Sequence, residues 1–285
     1  MRRLSRGAYE DTKGLVRAAE TLLEVVVITL LYYAAFRMGY EIEHFVYKGK
    51  YVLMGVYGAL LYVLFLAVCA LLVDTKKEYE HDSLFYRRLL YGATACCIRL
   101  LHIHIHVDGM EKLPKDGRFL LVCNHRSNFD PILTWQVMKE RNLAFVSKAE
   151  NFEIPIFGRI IRRCCFMAID RENPRNALLT IEKAAKLIES DEVSIGIYPE
   201  GTRSKECVLL PFHNGAFKNA QKASVPIVVA SIQGTEQIHK NWYRRRSDVQ
   251  FRIIETIPTE FVSANRTSAI GERVHNELSA ALKET

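Results

Sequence analysis

The chain contains 285 residues, of which 49% are hydrophobic and 25% are charged. This composition is typical of a folded protein with a sizeable core, and it excludes a disordered chain and a fibrous repeat. Lys and Arg outnumber Asp and Glu by 39 to 32, and the resulting net charge of +7 favours anionic partners such as phosphates or acidic lipids. The seven cysteines form no C-x-x-C pair, which favours free thiols in a reducing compartment.

Two apolar segments near the amino terminus predict a membrane anchor within residues 1–83. Residues 51–73 carry no charge and, as a helix, would be about 34 Å long, enough to cross a hydrocarbon layer of about 30 Å. A buried core helix is the weaker alternative, because core helices rarely lack charge on every face over such a length. Residues 22–40 contain Glu24 and form either the first arm of a transmembrane hairpin or an interfacial helix. We favour the two-helix hairpin.

Basic residues are more numerous on the two outer flanks of the apolar segments than in the loop between them. The positive-inside rule therefore places the amino terminus, and everything after Val73, on the cytoplasmic face of a cell membrane. The uncharged part of the first segment ends at Phe36. The basic residues before the first segment are Arg2, Arg3, Arg6, Lys13 and Arg17, those between Phe36 and the second segment are Arg37, Lys48 and Lys50, and those after the second are Lys76, Lys77, Arg87, Arg88 and Arg99.

The rest of the chain divides into a basic connector and a cytoplasmic α/β domain. Residues 84–101 indicate a helix lying near the membrane, and residues 102–285 alternate strand and helix patterns, which favours a largely parallel sheet covered by helices. In the clearest helix, Asn173 is the predicted cap and Pro174 takes the first helical position. The predicted strands are 119–123, 143–146, 193–198, 227–232 and 249–254. The predicted buried face of the helix comprises Ala177, Leu178, Ile181, Ala184, Ala185 and Ile188.

Three alternating histidines, His102, His104 and His106, share one face of a further predicted strand. Three imidazoles on one face are compatible with a metal site. No carboxylate or cysteine is placed nearby in the sequence to complete one, so an exposed face of an edge strand is favoured. We expect no metal site in this chain.

Residues 124–130, which read NHRSNFD, directly follow a predicted strand. His125 and Asp130 are five residues apart, so one loop turn can bring them together. A carboxylate bonded to one imidazole nitrogen leaves the other nitrogen free as a general base and stabilises the imidazolium that forms. Alternatively, Asp130 precedes Pro131 and simply caps the following helix. This segment alone leaves both interpretations open.

Residues 198–204, which read YPEGTRS, also follow a predicted strand. Ligands bind at the carboxyl edge of such sheets. Gly201 lets the backbone approach a ligand, Thr202 offers a hydroxyl group, and Arg203 offers a planar fork suited to phosphate. The alternative is an ordinary polar turn closed by a salt bridge from Glu200 to Arg203.

The two motifs together resemble those of the 1-acyl-glycerol-3-phosphate acyltransferase family, which carries an N-H-x-x-x-x-D motif followed by F-P-E-G-T-R-S. The resemblance covers about residues 102–260. Two further family elements are present in order: the intermediate motif at Lys148, Glu150, Pro155, Phe157, Gly158 and residues 169–171, and a V-P-I element at residues 225–227. The departures, which bear on pocket shape, are Tyr198 for phenylalanine, residues 164–166 where glycine is common, and Ala230 for a second proline.

The resemblance implies transfer of a fatty acyl group to the free sn-2 hydroxyl of lysophosphatidate, giving phosphatidate, on a glycerolipid acyltransferase fold. It implies His125 as general base and Asp130 as its orienting carboxylate. It assigns substrate binding to Lys148, Arg171, Glu200, Gly201, Thr202 and Arg203. No cofactor is expected beyond the co-substrate, acyl-CoA or acyl-acyl carrier protein. The expected partners are this donor, a lysophospholipid acceptor and membrane lipid, with no nucleic acid.

Two alternatives remain open at this point. In the first alternative, the enzyme acylates glycerol 3-phosphate or another lysolipid. In the second, the chain is a non-catalytic, membrane-tethered basic binding module. The binding module explains the positive charge and the anchor, but it does not explain four motifs in the family's order.

Overall fold

The computed structural model describes residue 24 and residues 27–30, 44–170, 172–204, 206–241, 243 and 246–283. The chain divides into two compact units, residues 1–66 and residues 67–285. The first predicted apolar helix lies largely outside the described residues; Glu24 and residues 27–30, which are described, are helical. The transmembrane hairpin therefore stays a prediction.

Helix α1 spans His44–Leu71 and contains the second predicted apolar segment. Its section Leu53–Leu71 has a mean hydropathy of 2.3 and is long and apolar enough, by length and composition, to cross a membrane. Leu53, Tyr57 and Leu64 are exposed, with 69%, 64% and 59% of their surfaces accessible. Such exposure is the opposite of what the core-helix alternative requires.

A seven-stranded sheet forms the centre of the second unit. The strands are β1 (Ile103–Asp108), β2 (Leu120–Cys123), β3 (Leu143–Lys148), β4 (Met167–Ile169), β5 (Ser194–Ile197), β6 (Ile227–Gln233) and β7 (Ser247–Ile257). Their order is β1-β7-β6-β2-β5-β3-β4, and every neighbouring pair is parallel except β6 and β7. The largely parallel sheet is thus confirmed, while the three-residue strand β4 was not predicted. All four residues of the central strand β2 are buried.

Helices cover the sheet. They are α2 (Leu84–Leu100), α3 (Asp130–Val137), α4 (Phe157–Arg162), α5 (Pro174–Glu189), α6 (Lys218–Ala223), α7 (Ile238–Asn241), α8 (Thr259–Ala264) and α9 (Thr267–Lys283). The predicted connector 84–101 is largely α2, which belongs to the second unit and packs against α3 and α4. Its buried residues are Arg87, Leu90 and Thr94.

Helix α5 begins as the sequence predicts. The Asn173 side chain accepts hydrogen bonds from the backbone N–H groups of Arg175 and Asn176, and Pro174 is the first helical residue. Ile188 is 3% exposed, and full burial of such a side chain contributes about 1.5–3 kcal/mol. Leu178 is 38% exposed, so the buried face is shorter than predicted.

Strand β1 forms one edge of the sheet, as its histidines predicted. His104 and His106 are exposed, whereas His102 precedes the strand. His106 Nε2 lies 3.2 Å from Asp248 Oδ1, so a carboxylate that the sequence did not place nearby contacts one of the three imidazoles.

Candidate active site

Two loops meet where strands β2 and β5 end. These strands are parallel neighbours, so their carboxyl ends lie at the same edge of the sheet. The loop after β2 carries the first motif and the loop after β5 carries the second. The backbone N–H of Ser204 donates to the carbonyl oxygen of His125 over 2.9 Å. Two motifs that are far apart in the chain therefore form a single site.

His125 and Asp130 form a hydrogen-bonded pair in which Nδ1 lies 2.8 Å from Oδ2. The Asp130 side chain is fully buried, whereas the His125 side chain is 19% exposed and lines a cavity. Because a carboxylate accepts hydrogen bonds and does not donate them, Nδ1 carries the proton and Nε2 is left as the basic nitrogen. A histidine and a carboxylate in this geometry can act as a general base and its orienting group.

Asp130 does not cap helix α3. Its carboxylate oxygen Oδ2 accepts hydrogen bonds from the backbone N–H groups of Arg126 (2.6 Å) and Ser127 (2.7 Å), which precede it, rather than from N–H groups of the helix. The capping interpretation is therefore wrong. Together with His125, these donors fix the plane of the carboxylate.

Thr235 is a further residue of the site, and the sequence patterns did not predict it. Its hydroxyl group donates to Asp130 Oδ1, and its side chain is fully buried. It follows β6, the other neighbour of β2, after Gly234, whose φ of +88° lies in the left-handed region that favours glycine. The available signal was a Gly-Thr pair after a predicted strand, which is too common to identify a site.

The two residues flanking the histidine hold its loop in place. Asn124 is 2% exposed; its Nδ2 donates to the carbonyl oxygen of Ile232 (2.9 Å) and its Oδ1 accepts from the N–H of that residue (2.8 Å). Arg126 Nη2 donates to the carbonyl oxygen of Cys207 over 3.3 Å. Both side chains thus position His125 through the backbone.

Tyr198 stacks on the imidazole of His125, with ring centroids 4.4 Å apart and an angle of 24° between the planes. The pKa of the Tyr198 phenol is raised well above its usual value, chiefly by burial, so this group stays neutral at physiological pH. The stacked ring limits rotation of the imidazole and forms part of the apolar surface beside it.

Glu200 connects the two loops through the backbone. Its Oε1 accepts from the N–H of His125 (2.6 Å), and its Oε2 accepts from the N–H of Leu210 (3.0 Å). The side chain is 3% exposed and does not line the cavity. Burial raises the pKa of its carboxyl group, and the two backbone hydrogen bonds oppose this shift. Glu200 makes no salt bridge to Arg203, although the structure describes both residues, so the alternative of a polar turn closed by that salt bridge is wrong.

We expect Glu200→Gln to lower both stability and activity. A glutamine has a single carbonyl oxygen, so its amide NH2 group faces the N–H of either His125 or Leu210 and leaves that donor unpaired. An unsatisfied buried donor costs about 1–3 kcal/mol. Thermal unfolding and steady-state rates measure the two effects, with Glu206→Gln, an exposed position of the same loop, as control. A higher KM for the acceptor with an unchanged unfolding midpoint would instead show direct substrate binding by Glu200.

A cavity of about 480 Å³ opens beside His125. Most of its wall is apolar, and polar side chains occupy the remainder. The apolar residues are Leu90, Pro131, Ile132, Trp135, Phe145, Val146, Ile154, Phe157, Ile161, Phe166 and Tyr198. The polar residues besides His125 are Thr94, Asn128, Ser147, Lys148, Asn151, Thr202 and Arg203.

The cavity brings together four of the six predicted substrate-binding residues: Lys148, Gly201, Thr202 and Arg203. Lys148 and Arg203 are exposed, and no carboxylate among the described residues pairs with either. Gly201 has a φ of +68°, and a Cβ there would approach the His213 imidazole to 2.8 Å. Glu200 does not line the cavity. Arg171 lies outside the described residues, so its assignment stays a prediction.

This arrangement suits an amphiphilic substrate that carries both a hydroxyl group and an anion. The histidine can take a proton from the hydroxyl group, the two cations can hold the anion, and the apolar wall can bury a hydrocarbon chain. No side chain of the site needs to act as a nucleophile, because the substrate supplies its own oxygen.

Comparisons with known proteins identify the relatives of this chain. The acyltransferase family matches residues 104–233, a region that includes both motifs. The human 1-acyl-sn-glycerol-3-phosphate acyltransferase alpha is 26% identical over 231 residues, which cover 78% of each protein. A Caenorhabditis elegans protein named for the same activity is 27% identical over 187 residues, which cover 64% of this chain and 65% of that protein.

A solved structure shares the fold of this chain. The crystal structure of PlsC, the 1-acyl-sn-glycerophosphate acyltransferase from Thermotoga maritima, aligns with a TM-score of 0.60 at 22% identity. The alignment covers 79% of this chain and 88% of that one, and it confirms the predicted fold. The chain therefore carries an acyltransferase domain, and its relatives and its fold support the family of the 1-acyl-sn-glycerol-3-phosphate acyltransferases, which are O-acyltransferases.

Proposed function

We propose that this protein transfers a fatty acyl group from a thioester to the free sn-2 hydroxyl of lysophosphatidate, giving phosphatidate. The observation that carries the proposal is the His125–Asp130 pair in a largely apolar cavity that also holds Lys148 and Arg203. The named activity of the relatives in humans and in Caenorhabditis elegans supports the same acceptor.

In the proposed reaction, His125 Nε2 removes the proton of the acceptor hydroxyl while the oxygen of that hydroxyl attacks the thioester carbonyl carbon. The new C–O bond forms, the C–S bond breaks, and the thiolate leaves and takes the proton back from the imidazolium. The buried Asp130 carboxylate stabilises the imidazolium between these steps. Because the thioester is already activated, the chemistry requires no further cofactor.

Recognition of the acceptor combines charge with apolar burial. Lys148 and Arg203 line the cavity on different elements, the end of β3 and the loop after β5. A phosphate monoester carries two negative charges and three oxygens, so it can accept from both cations at once. A phosphate held in this way brings the neighbouring hydroxyl group to His125.

We further propose that the enzyme is anchored by its apolar amino-terminal region and works on the cytoplasmic face of a membrane. Helix α1 has the length and composition of a membrane span. Both the acceptor and the product are membrane lipids, so an anchored enzyme meets them without extracting them from the bilayer. The acyl donor, acyl-CoA or acyl-acyl carrier protein, is water-soluble and reaches the enzyme from the cytoplasm.

The direct test is an assay of the purified full chain with each donor in turn and three acceptors. Lysophosphatidate should be the best acceptor. Glycerol 3-phosphate lacks the hydrocarbon chain, and a monoacylglycerol lacks the phosphate. Mass spectrometry of the product identifies phosphatidate and the carbon that is acylated. Failure of both donors with lysophosphatidate would refute the proposal.

Arg203→Lys should reduce kcat/KM for lysophosphatidate about tenfold while changing little for a monoacylglycerol. Lysine keeps the positive charge but lacks the planar fork, and a charge-assisted hydrogen bond is worth about 1.5–3 kcal/mol. Arg175→Lys, an exposed position on α5, is the matched control. An unchanged kcat/KM for lysophosphatidate, or a monoacylglycerol as the better substrate, would contradict a phosphate-bearing acceptor.

A further inference from the structure

One wall of the cavity is a continuous row of aromatic rings that begins at His125. Tyr198 stacks on His125, and Phe145 stacks on Tyr198 with 5.8 Å between ring centroids. Phe166 meets Phe145 edge to face at 5.5 Å, and Trp135 meets Phe166 in the same way at 5.2 Å. All five rings line the cavity, so the row runs from the proposed base along the apolar wall.

Arg87 lies behind the far end of this row. Its guanidinium carbon is 4.7 Å from the centroid of the Trp135 indole. The side chain is 1% exposed and does not line the cavity. Leu90 and Thr94, on the same helix α2, do line it. Helix α2 therefore lines one side of the cavity, and two of its residues contact the indole of Trp135: Arg87, and Tyr91, which stacks on it at 4.5 Å.

The Arg87 guanidinium connects several parts of the wall. Its Nε donates to Asp82 Oδ2 over 2.6 Å, and its Nη1 donates to the carbonyl oxygen of Leu143, the first residue of β3, over 2.9 Å. Its Nη2 lies 3.5 Å from the carbonyl oxygen of Cys164, in the segment that leads to β4. One planar group thus contacts Trp135 directly and holds the backbone of the two segments that carry the next two rings.

Stability alone does not explain this buried ion pair. Removing two charges from water costs several kcal/mol per ion, and apolar side chains of similar volume often fill such a site equally well. Burial raises the pKa of the Asp82 carboxyl group, although Arg87 opposes the shift. Apolar side chains cannot replace the planar guanidinium of Arg87, which contacts an indole and two carbonyl oxygens at once.

We propose that Arg87, oriented by Asp82, is a positioning residue that sets the length of the apolar chain that the cavity accepts. This inference rests on the proposed acyl transfer. With the guanidinium in place, the end of the substrate's chain meets a fixed wall at Trp135. A loosened wall yields toward α2 and admits more methylene groups, and one methylene in an apolar pocket changes selectivity about 10- to 200-fold.

The test is Arg87→Lys, which keeps the charge but loses the fork and the flat face against Trp135. Rates are measured in two series: donors of increasing chain length with one acceptor, and lysophosphatidates of increasing chain length with one donor. In one of the two series, we compare kcat/KM for a chain four carbons longer than the best substrate with kcat/KM for the best substrate. We expect Arg87→Lys to raise this ratio at least about threefold above that of the unmodified enzyme. That series identifies the chain that meets the wall. The preference for a phosphate-bearing acceptor should stay unchanged, because Arg203 and Lys148 are intact.

Two controls keep the inference falsifiable. Arg99→Lys, an exposed position on α2, should leave both series unchanged. The double variant Asp82→Leu with Arg87→Met replaces the pair with apolar side chains, avoids a lone buried charge, and should show the same shift toward longer chains. If both Arg87 variants keep the chain-length preference of the unmodified enzyme in both series and only lower the unfolding midpoint, the inference about Arg87 is overturned and the proposed reaction stands. An unmodified enzyme that is inactive with both donors would overturn the proposed reaction and this inference with it.

Discussion

His125→Ala should lower kcat by at least about 100-fold, since a positioned general base contributes roughly 10²–10⁴ in rate. The substitution removes the Nε2 that is proposed to take the hydroxyl proton, and it leaves the carboxylate of Asp130 without its imidazole. The KM for lysophosphatidate should change little, because Lys148 and Arg203 still line the cavity. Initial rates at saturating donor, over a range of acceptor concentrations, separate the two parameters.

The matched control is His104→Ala, at an exposed position of β1, which should retain full activity. Added imidazole should restore part of the lost rate of His125→Ala, because alanine leaves space beside the ring of Tyr198. Retention of more than about a tenth of the original kcat would rule out His125 as the base, given the size of the effect expected.

Asp130→Asn should lower kcat at least about tenfold while keeping the fold. The Asn carbonyl oxygen can occupy the place of Oδ2 and accept from the Nδ1–H of His125 and from the N–H groups of Arg126 and Ser127. Its NH2 group then faces the hydroxyl oxygen of Thr235, which can accept. The histidine tautomer is preserved, so the loss measures the charge that stabilises the imidazolium, worth about 1.5–3 kcal/mol in a charge-assisted hydrogen bond.

Thermal unfolding of Asp130→Asn should show a midpoint close to that of the unmodified enzyme. Asp130→Ala, in contrast, leaves four donors without an acceptor in a fully buried place and should lose both activity and stability. Full activity of Asp130→Asn would show that the carboxylate orients the ring but that its charge plays no part in the rate.

The fold was predictable where a pattern is local and strong. The central strands are continuous apolar segments because both of their faces are buried, and α5 carries its own start signal in Asn173 and Pro174. Strand β4 has three residues with a partly exposed surface, so no periodicity marks it. Leu178 fits the helical pattern of α5 yet lies outside the core, because the pattern carries no information on where the sheet ends.

The site was predictable where its members are close in the chain. His125 and Asp130 lie five residues apart at one loop, so their spacing allows the pairing as one of two interpretations, and the structure shows the paired geometry. Thr235 reaches the same carboxylate from the end of another strand, which requires the sheet order. The resemblance to the family assigned Glu200 to substrate binding. The sequence does not reveal that backbone N–H groups engage both of its oxygens.

The position of α2 separates two properties of the enzyme. The region shared with the acyltransferase family, residues 104–233, contains the hydrogen-bonded pair proposed for proton transfer, whereas α2 lies before it and still supplies Leu90 and Thr94 to the cavity. In the proposed reaction, the helix lies beside the hydrocarbon part of the substrate, and the loops after β2 and β5 lie beside the reacting oxygen. Substitutions accumulating in α2 can therefore reshape the preference for one lipid over another during evolution without disturbing the chemistry.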